Sequence, residues 1–371
     1  MTAVHGTAPT GGVEIQSLQV AQELTRRGHA LDVLYVEPGP FVADYRRISH
    51  SVTKVPRVDY WFATGRRSRM RDGVELVPAV CAAALRRPDV LYGNRVYSTG
   101  WSVPAGMLTR APVVCHLHGH SDLSPKRIAH LNRHVSRFVV ISQFVADRWL
   151  ASGLDPTKVV VVHNGIDPAA YPEGGLPERA RARRELGLPE DVFVVGYVGR
   201  LDREKGVDLA LSAWRLLDLS PEVARLFVVG SPTVRQDADA YRAELETLAG
   251  PGVTFLAGRA DVVVPLHAAD VIVVPSRWDE PFGRAVIEAL STGRPVLATA
   301  VGGIPEILEG PMARFLFERE DAEMLAAQLS ALRGWREREP ELAEDCRSWV
   351  QQRFTLAGMV DGVEAAFAAV R

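Results

Sequence analysis

The sequence predicts an α/β protein built from two Rossmann-like domains, each with a parallel sheet. Three observations carry that expectation. Apolar runs of strand length alternate with helical patterns along the whole chain. Most of those runs are continuously apolar, the mark of parallel strands covered on both faces by helices. The length of 371 residues suits two domains of ordinary size, and a hydrophobic content of 47% supplies two cores.

Taken in order, the chain opens with residues 1–5, which are barely apolar. The first strand is therefore short, or the true start lies upstream. Gly11-Gly12 then opens a helix over 13–27. Residues 30–36, 90–92, 113–117, 138–141 and 159–162 read as buried strands of the first half, and 193–198, 226–229, 253–256, 271–274 and 296–298 as those of the second. Helical patterns cover 209–217, 284–292 and 322–333, and Gly293 stops the second of these. Residues 167–189, rich in Pro, Gly and charge, are the expected linker. The boundaries are an N-terminal domain at 1–167, a C-terminal domain at 168–355 and a last helix from about 356.

Composition removes several classes of function. The 43 basic and 45 acidic residues leave a net charge of −2, so there is no nucleic-acid footprint. Cys81, Cys115 and Cys346 are odd in number and lack metal-ligand spacing, which reads as reduced thiols in a cytoplasmic protein. No apolar run approaches the ~18 residues of a membrane span, and residues 1–12 have no signal-peptide core. Asp237 and Asp239, the one Asp-x-Asp considered for a metal, sit in a polar, helix-like stretch and read as surface residues. An aromatic–basic patch, Trp61, Phe62, Arg66, Arg67, Arg69 and Arg71, reads most simply as a solvated segment. Its sharper readings are weak peripheral contact with an anionic membrane or recognition of a phosphate-bearing acceptor.

The most informative stretch is 275–288, PSRWDEPFGRAVIE. Glu280 and Glu288 lie eight residues apart across a strand-to-helix turn, roughly 12 Å along a helix. That is about the length of a sugar–diphosphate–ribose unit, with the helix N-terminus free to face phosphate between the two carboxylates. Gly199-Arg200-Leu201-Asp202-Arg203-Glu204-Lys205-Gly206 follows another strand. Its Arg200 and Lys205 can neutralise a diphosphate, and Lys205 stands out because the chain has only four lysines.

Residues 275–308, with GRLDREKG at 199–206 and HNGID at 163–167, resemble the retaining glycosyltransferases of family 4, and the likeness runs over nearly the whole chain. The resemblance implies a GT-B fold, two Rossmann-like domains facing across a cleft, with the last helix crossing back onto the first domain. It implies a nucleotide-sugar donor held mainly by the second domain, a small-molecule or glycan acceptor in the first, no cofactor and no metal. Glu280, Phe282, Gly283, Arg284 and Glu288 fall in the donor segment. Gly258 and Arg259 belong to the base-binding segment, Gly11 and Gly12 close over the donor phosphate, and His118 lies beside the donor sugar. The catalytic set is thus His118, Arg200, Lys205 and Glu280.

His116, His118 and His120 fall on one side of the chain if the strand stays extended. Asn94, Tyr97, His120 and Asp122 are acceptor candidates, for which packing roles are the competing reading. Gly230-Ser231-Pro232 and Met312-Ala313-Arg314 depart from the family's glycine pattern, so the base, uracil or guanine, stays open. The Arg- and Ala-rich composition matches high-GC bacteria, where such enzymes decorate antibiotics or envelope glycans. The alternatives are a nucleotide-sugar epimerase or phosphorylase on the same fold, and a non-catalytic subunit that binds a sugar nucleotide.

Overall fold

A computed structural model describes residues 1–7, 11–59, 66–232 and 238–371. The chain divides into two compact units, Met1–Asn164 with Leu356–Arg371, and Gly165–Thr355. In the first unit, β1 (Thr2–Gly6), β2 (Asp32–Glu37), β3 (Ser51–Lys54), β4 (Leu91–Gly93), β5 (Val113–Leu117), β6 (Arg137–Val140) and β7 (Val159–Val161) form one sheet in the order β3-β2-β1-β4-β5-β6-β7. Every pairing is parallel. In the second, β8 (Phe193–Val198), β9 (Ala224–Val229), β10 (Val253–Leu256), β11 (Val271–Val274), β12 (Val296–Thr299) and β13 (Leu316–Phe317) form a parallel sheet in the order β10-β9-β8-β11-β12-β13.

The order reverses between β1 and β4 in one sheet and between β8 and β11 in the other. Helices leave opposite faces of a doubly wound sheet at such a point, and a crevice opens beyond the carboxyl ends of its strands. The loops after β8 and β11 carry Arg200, Lys205 and Glu280. The loops after β1 and β4 carry Gly11, Asn94 and Tyr97.

The sheets are larger than the five strands each that the sequence suggests. The weakly apolar first segment is a five-residue central strand, with Thr2 opposite both Val33 and Tyr92. Main-chain pairing on both sides holds it. β3, SVTK, is mostly polar because it is an edge, and β13 is only two residues long.

The linker reading of 167–189 is corrected. It contains a helix, Leu176–Glu185, fixed inside the second unit. Arg183, wholly buried, donates to the Asp270 carboxylate at 2.7 Å and to the carbonyls of Ala268, Glu190 and Val192. Arg179 and Arg336 reach the same carboxylate. Burial alone would raise the Asp270 carboxyl, but Arg183 and Arg179 outweigh it and hold the group below the usual carboxylate range.

The helix Leu356–Ala368 completes the first core. Met359, Val360, Val363 and Phe367 pack with Leu18, Val33, Tyr92 and Val114. Arg27 binds Asp361 at 2.6 Å, and His29 Nε2 lies 2.7 Å from Glu364. Trp61, Phe62 and Asp237 lie outside the described residues. Arg66, Arg67 and Arg69 begin a helix, Arg66–Arg86, in which Arg71 pairs with Glu75 at 2.9 Å. Among the described residues no helix is long and apolar enough to cross a membrane.

Candidate active site

At the β8–β11 crevice two loops are tied together. The chain leaving β8 makes a short turn at Arg203–Lys205 and enters the helix Val207–Leu217 through Gly206, whose φ is +65°. A Cβ at Gly206 would come within 1.9 Å of the Pro275 carbonyl oxygen, so the loop after β11 lies directly against it. The Glu204 carbonyl accepts from the N–H groups of Arg277 and Trp278 at 2.8 and 3.3 Å.

This packing brings Lys205 to Glu280. The Lys205 ammonium is ion-paired with Glu280 Oε1, and the Ser276 hydroxyl donates to the same oxygen at 2.6 Å. Ser276 and Glu280 are buried, while Lys205 is part-exposed. The Glu280 backbone is held by Gly302 and Gly303: the Gly303 N–H donates to the Glu280 carbonyl at 2.8 Å, and a Cβ at Gly302 would sit 2.0 Å from that oxygen. Arg200 keeps its guanidinium 2.9 Å from the Asp202 carboxylate, and its carbonyl accepts from the buried Tyr197 hydroxyl at 2.6 Å. Burial, with Glu280 nearby, pushes the Tyr197 phenol well above its ordinary range, so it stays a neutral donor.

Gly283 caps the helix Arg284–Ser291. Glu288, a turn inside that helix, accepts from Arg284 at 2.9 and 3.1 Å. Burial would lower the Arg284 guanidinium, but Glu288 and Tyr171 raise it overall, so the guanidinium stays charged. The Phe282 side chain turns into the core and meets Phe354 edge-on at 5.9 Å. Gly258 lies beside Ser231, whose hydroxyl accepts its N–H at 3.3 Å, while Arg259 is engaged by Glu185 at 2.7 Å.

In the first unit, Gly11 caps the helix Gly12–Arg26, and a Cβ on it would meet the Glu14 carboxylate at 3.1 Å. Glu14 is ion-paired with Arg95. Asn94 is buried and donates to Thr2 Oγ1 at 3.1 Å; Tyr97 shares a 2.9 Å hydrogen bond with Ser121.

The three histidines do not stay together. β5 ends at Leu117 and the chain bends at His118 and Gly119. His116 and His118 stack at 4.3 Å, with His116 hydrogen-bonded to Tyr92. His120 turns away onto Trp149 and Ser152, 3.7 Å from the exposed Asp122 carboxylate. Burial pushes His116 down to about 3, so it is neutral at ordinary pH.

Ser276, Tyr197, Asp202, Gly302 and Gly303 complete the geometry and had no role assigned from sequence. Each lies within one of the three informative segments or just before it, but nothing in the spacing shows that a serine four residues ahead of Glu280 folds back onto it. Among the described residues no group of three or more His, Cys, Asp or Glu is placed to hold a metal ion.

The comparisons with known proteins divide along the same two units. Residues 178–349 match the family model described as "Glycosyl transferases group 1", and residues 10–170 match "Glycosyltransferase Family 4". The D-inositol 3-phosphate glycosyltransferase of Geodermatophilus obscurus is 30% identical over 90% of this chain and 80% of its own length. The protein of the same name from Mycobacteroides abscessus is 30% identical over 82% and 72%. Among solved structures, a glycosyltransferase from Rickettsia africae aligns over 100% of this chain and 98% of its own, with a TM-score of 0.83 and 19% identity. HepE from Anabaena in complex with UDP aligns over 99% of both chains at 0.81 and 23%. These likenesses establish the GT-B fold.

Proposed function

We propose the following reaction for this chain, which belongs to family 4 of the glycosyltransferases. It transfers a sugar from a UDP- or GDP-linked donor to an acceptor hydroxyl, with retention of anomeric configuration and without a metal ion. One observation carries the reading: Lys205 and Glu280, from separate loops, meet at the β8–β11 switch point, next to the helix that bears Glu288. HepE, solved with UDP and with UDP-glucose, supports the donor class.

In this arrangement Arg200 and Lys205 take the diphosphate, Glu280 accepts hydrogen bonds from the sugar hydroxyls, and Glu288 accepts from the ribose. As the bond from anomeric carbon to phosphate oxygen breaks, the two cations stabilise the charge that develops on the leaving diphosphate. The acceptor oxygen bonds to the same face of the anomeric carbon, and its proton passes to the departing phosphate oxygen. The family resemblance assigns His118 to the donor sugar. Asn94, Tyr97, His120 and Asp122 bound the acceptor side, where the phosphoinositol named in the relatives is the first compound to try, followed by glycans of the cell envelope and antibiotic aglycones.

Thermal shift against a panel of UDP- and GDP-sugars identifies the donor, because a bound ligand stabilises the fold by mass action. Release of nucleoside diphosphate is then followed with and without acceptor. Acceptor-dependent release is the expected result. Interconversion of donor sugars without acceptor would instead establish an epimerase, and binding without turnover a non-catalytic subunit.

A further inference from the structure

We propose that Ser276 is a positioning residue that allows Lys205 to change partners, from Glu280 in the empty site to the diphosphate of the donor. The inference rests on the donor reading above. Among the described residues the ionic partner of Lys205 is Glu280, met at Oε1. The same oxygen accepts from the Ser276 hydroxyl at 2.6 Å, and Ser276 is only 1% exposed. Glu280 is 9% exposed, so its carboxylate has little water to fall back on.

When Lys205 swings to the diphosphate, it leaves a mostly buried carboxylate behind. An ionised carboxylate that loses its partners in such a place is strongly penalised. The serine hydroxyl stays on Oε1 and limits that penalty. Without it, among the described residues only the ammonium donates to Oε1, and Glu280 competes with the diphosphate for Lys205. The backbone does not adjust to relieve this, because Gly303 and the close approach of Gly302 fix the Glu280 carbonyl, and Gly206 packs on the Pro275 carbonyl.

Two consequences set this apart from a packing role. Ser276→Ala should weaken nucleoside diphosphate by about tenfold, the scale of one hydrogen bond to a charged group, and leave the nucleoside, which has no phosphate, unchanged. Glu280→Gln should tighten nucleoside diphosphate several-fold, because an amide holds an ammonium less firmly than a carboxylate does.

The experiment is calorimetric titration of UDP, GDP and their nucleosides into the full chain and its variants Ser276→Ala, Ser276→Thr, Glu280→Gln, Lys205→Ala and the double variant Ser276→Ala with Glu280→Gln. The threonine variant should restore diphosphate affinity to within about threefold, since it keeps the hydroxyl. In the Glu280→Gln background, Ser276→Ala should have no further effect. An unchanged affinity in Ser276→Ala, an equal loss in the Glu280→Gln background, or a weaker diphosphate in Glu280→Gln alone would each overturn the inference. Glu280→Gln tests the same competition if Ser276→Ala does not fold. A Lys205→Ala variant that binds diphosphate like the parent would sink the donor reading instead, so the two failures are told apart.

Discussion

Arg200 and Lys205 reach the same crevice under different restraint. Arg200 is half exposed and tethered to Asp202, whereas Lys205 is part-buried against the Glu280 carboxylate. Both should matter to the leaving group. Arg200→Ala and Lys205→Ala are each expected to lower turnover by about 10²–10³-fold, the loss seen when one charge-stabilising donor is removed; steady-state kinetics with saturating acceptor checks this, and parental turnover in both variants would remove the assignment. The cations were legible in the sequence because lysine is so scarce and the segment follows a strand. The pairing of Lys205 with Glu280 was not, since their contact spans 75 positions and depends on two loops meeting. The condition for His116, His118 and His120 to share one side, an extended strand, is not met as far as His120, because β5 ends three residues earlier.

Two helices show how the sequence signal behaves at the scale of elements. The helix Arg284–Ser291 was legible from its apolar spacing and from glycine at either end. With Glu288 on the ribose, Glu288→Ala should weaken nucleoside diphosphate by roughly 10–100-fold. The 2′-deoxy analogue should bind the variant as well as the ribonucleotide does, which titration of both ligands measures directly. The helix Leu176–Glu185 was hidden because its sequence is dense in charge, and only the fold reveals that Arg183 is spent on a buried carboxylate. Breaking that cluster should cost about 3–5 kcal/mol, because Asp270 is left buried and under-paired in Arg183→Ala; chemical denaturation measures it. The sign of the pH effect follows from the carboxyl's depressed position in the folded state. Stability from this cluster is present above the ordinary carboxyl range near pH 4 and is lost as pH falls below it. The variant should therefore show a shallower acid loss than its parent.

Across the whole molecule, the runs that β5, β8 and β11 occupy were readable to the residue, because strands buried on both faces are continuously apolar; β10, a half-buried edge, was read to the residue from its short run Val253–Leu256 alone. Two of the edge strands were not: β3 is mostly polar and β13 is too short to carry a pattern. The central place of β1 escaped for another reason, since it is main-chain pairing and not side-chain hydropathy that sets it there. The switch points, and hence the location of the site, follow from strand order, which no local pattern encodes. The proposed chemistry uses cations and a helix end in place of a metal, so activity should survive EDTA with little loss, and restoration of a chelated enzyme by magnesium or manganese would refute that element.

The central claim is sugar transfer at the β8–β11 crevice, and one assay tests it most directly. The chain is incubated with the donor sugar nucleotide that stabilises it best, with and without acceptor, alongside Lys205→Ala. Nucleoside diphosphate release is followed together with the anomeric configuration of the product by NMR. The account predicts release that depends on acceptor, a product with the donor's own anomeric configuration, and a variant slower by two to three orders of magnitude. Release that ignores the acceptor, an inverted product, or a variant as active as its parent would contradict it.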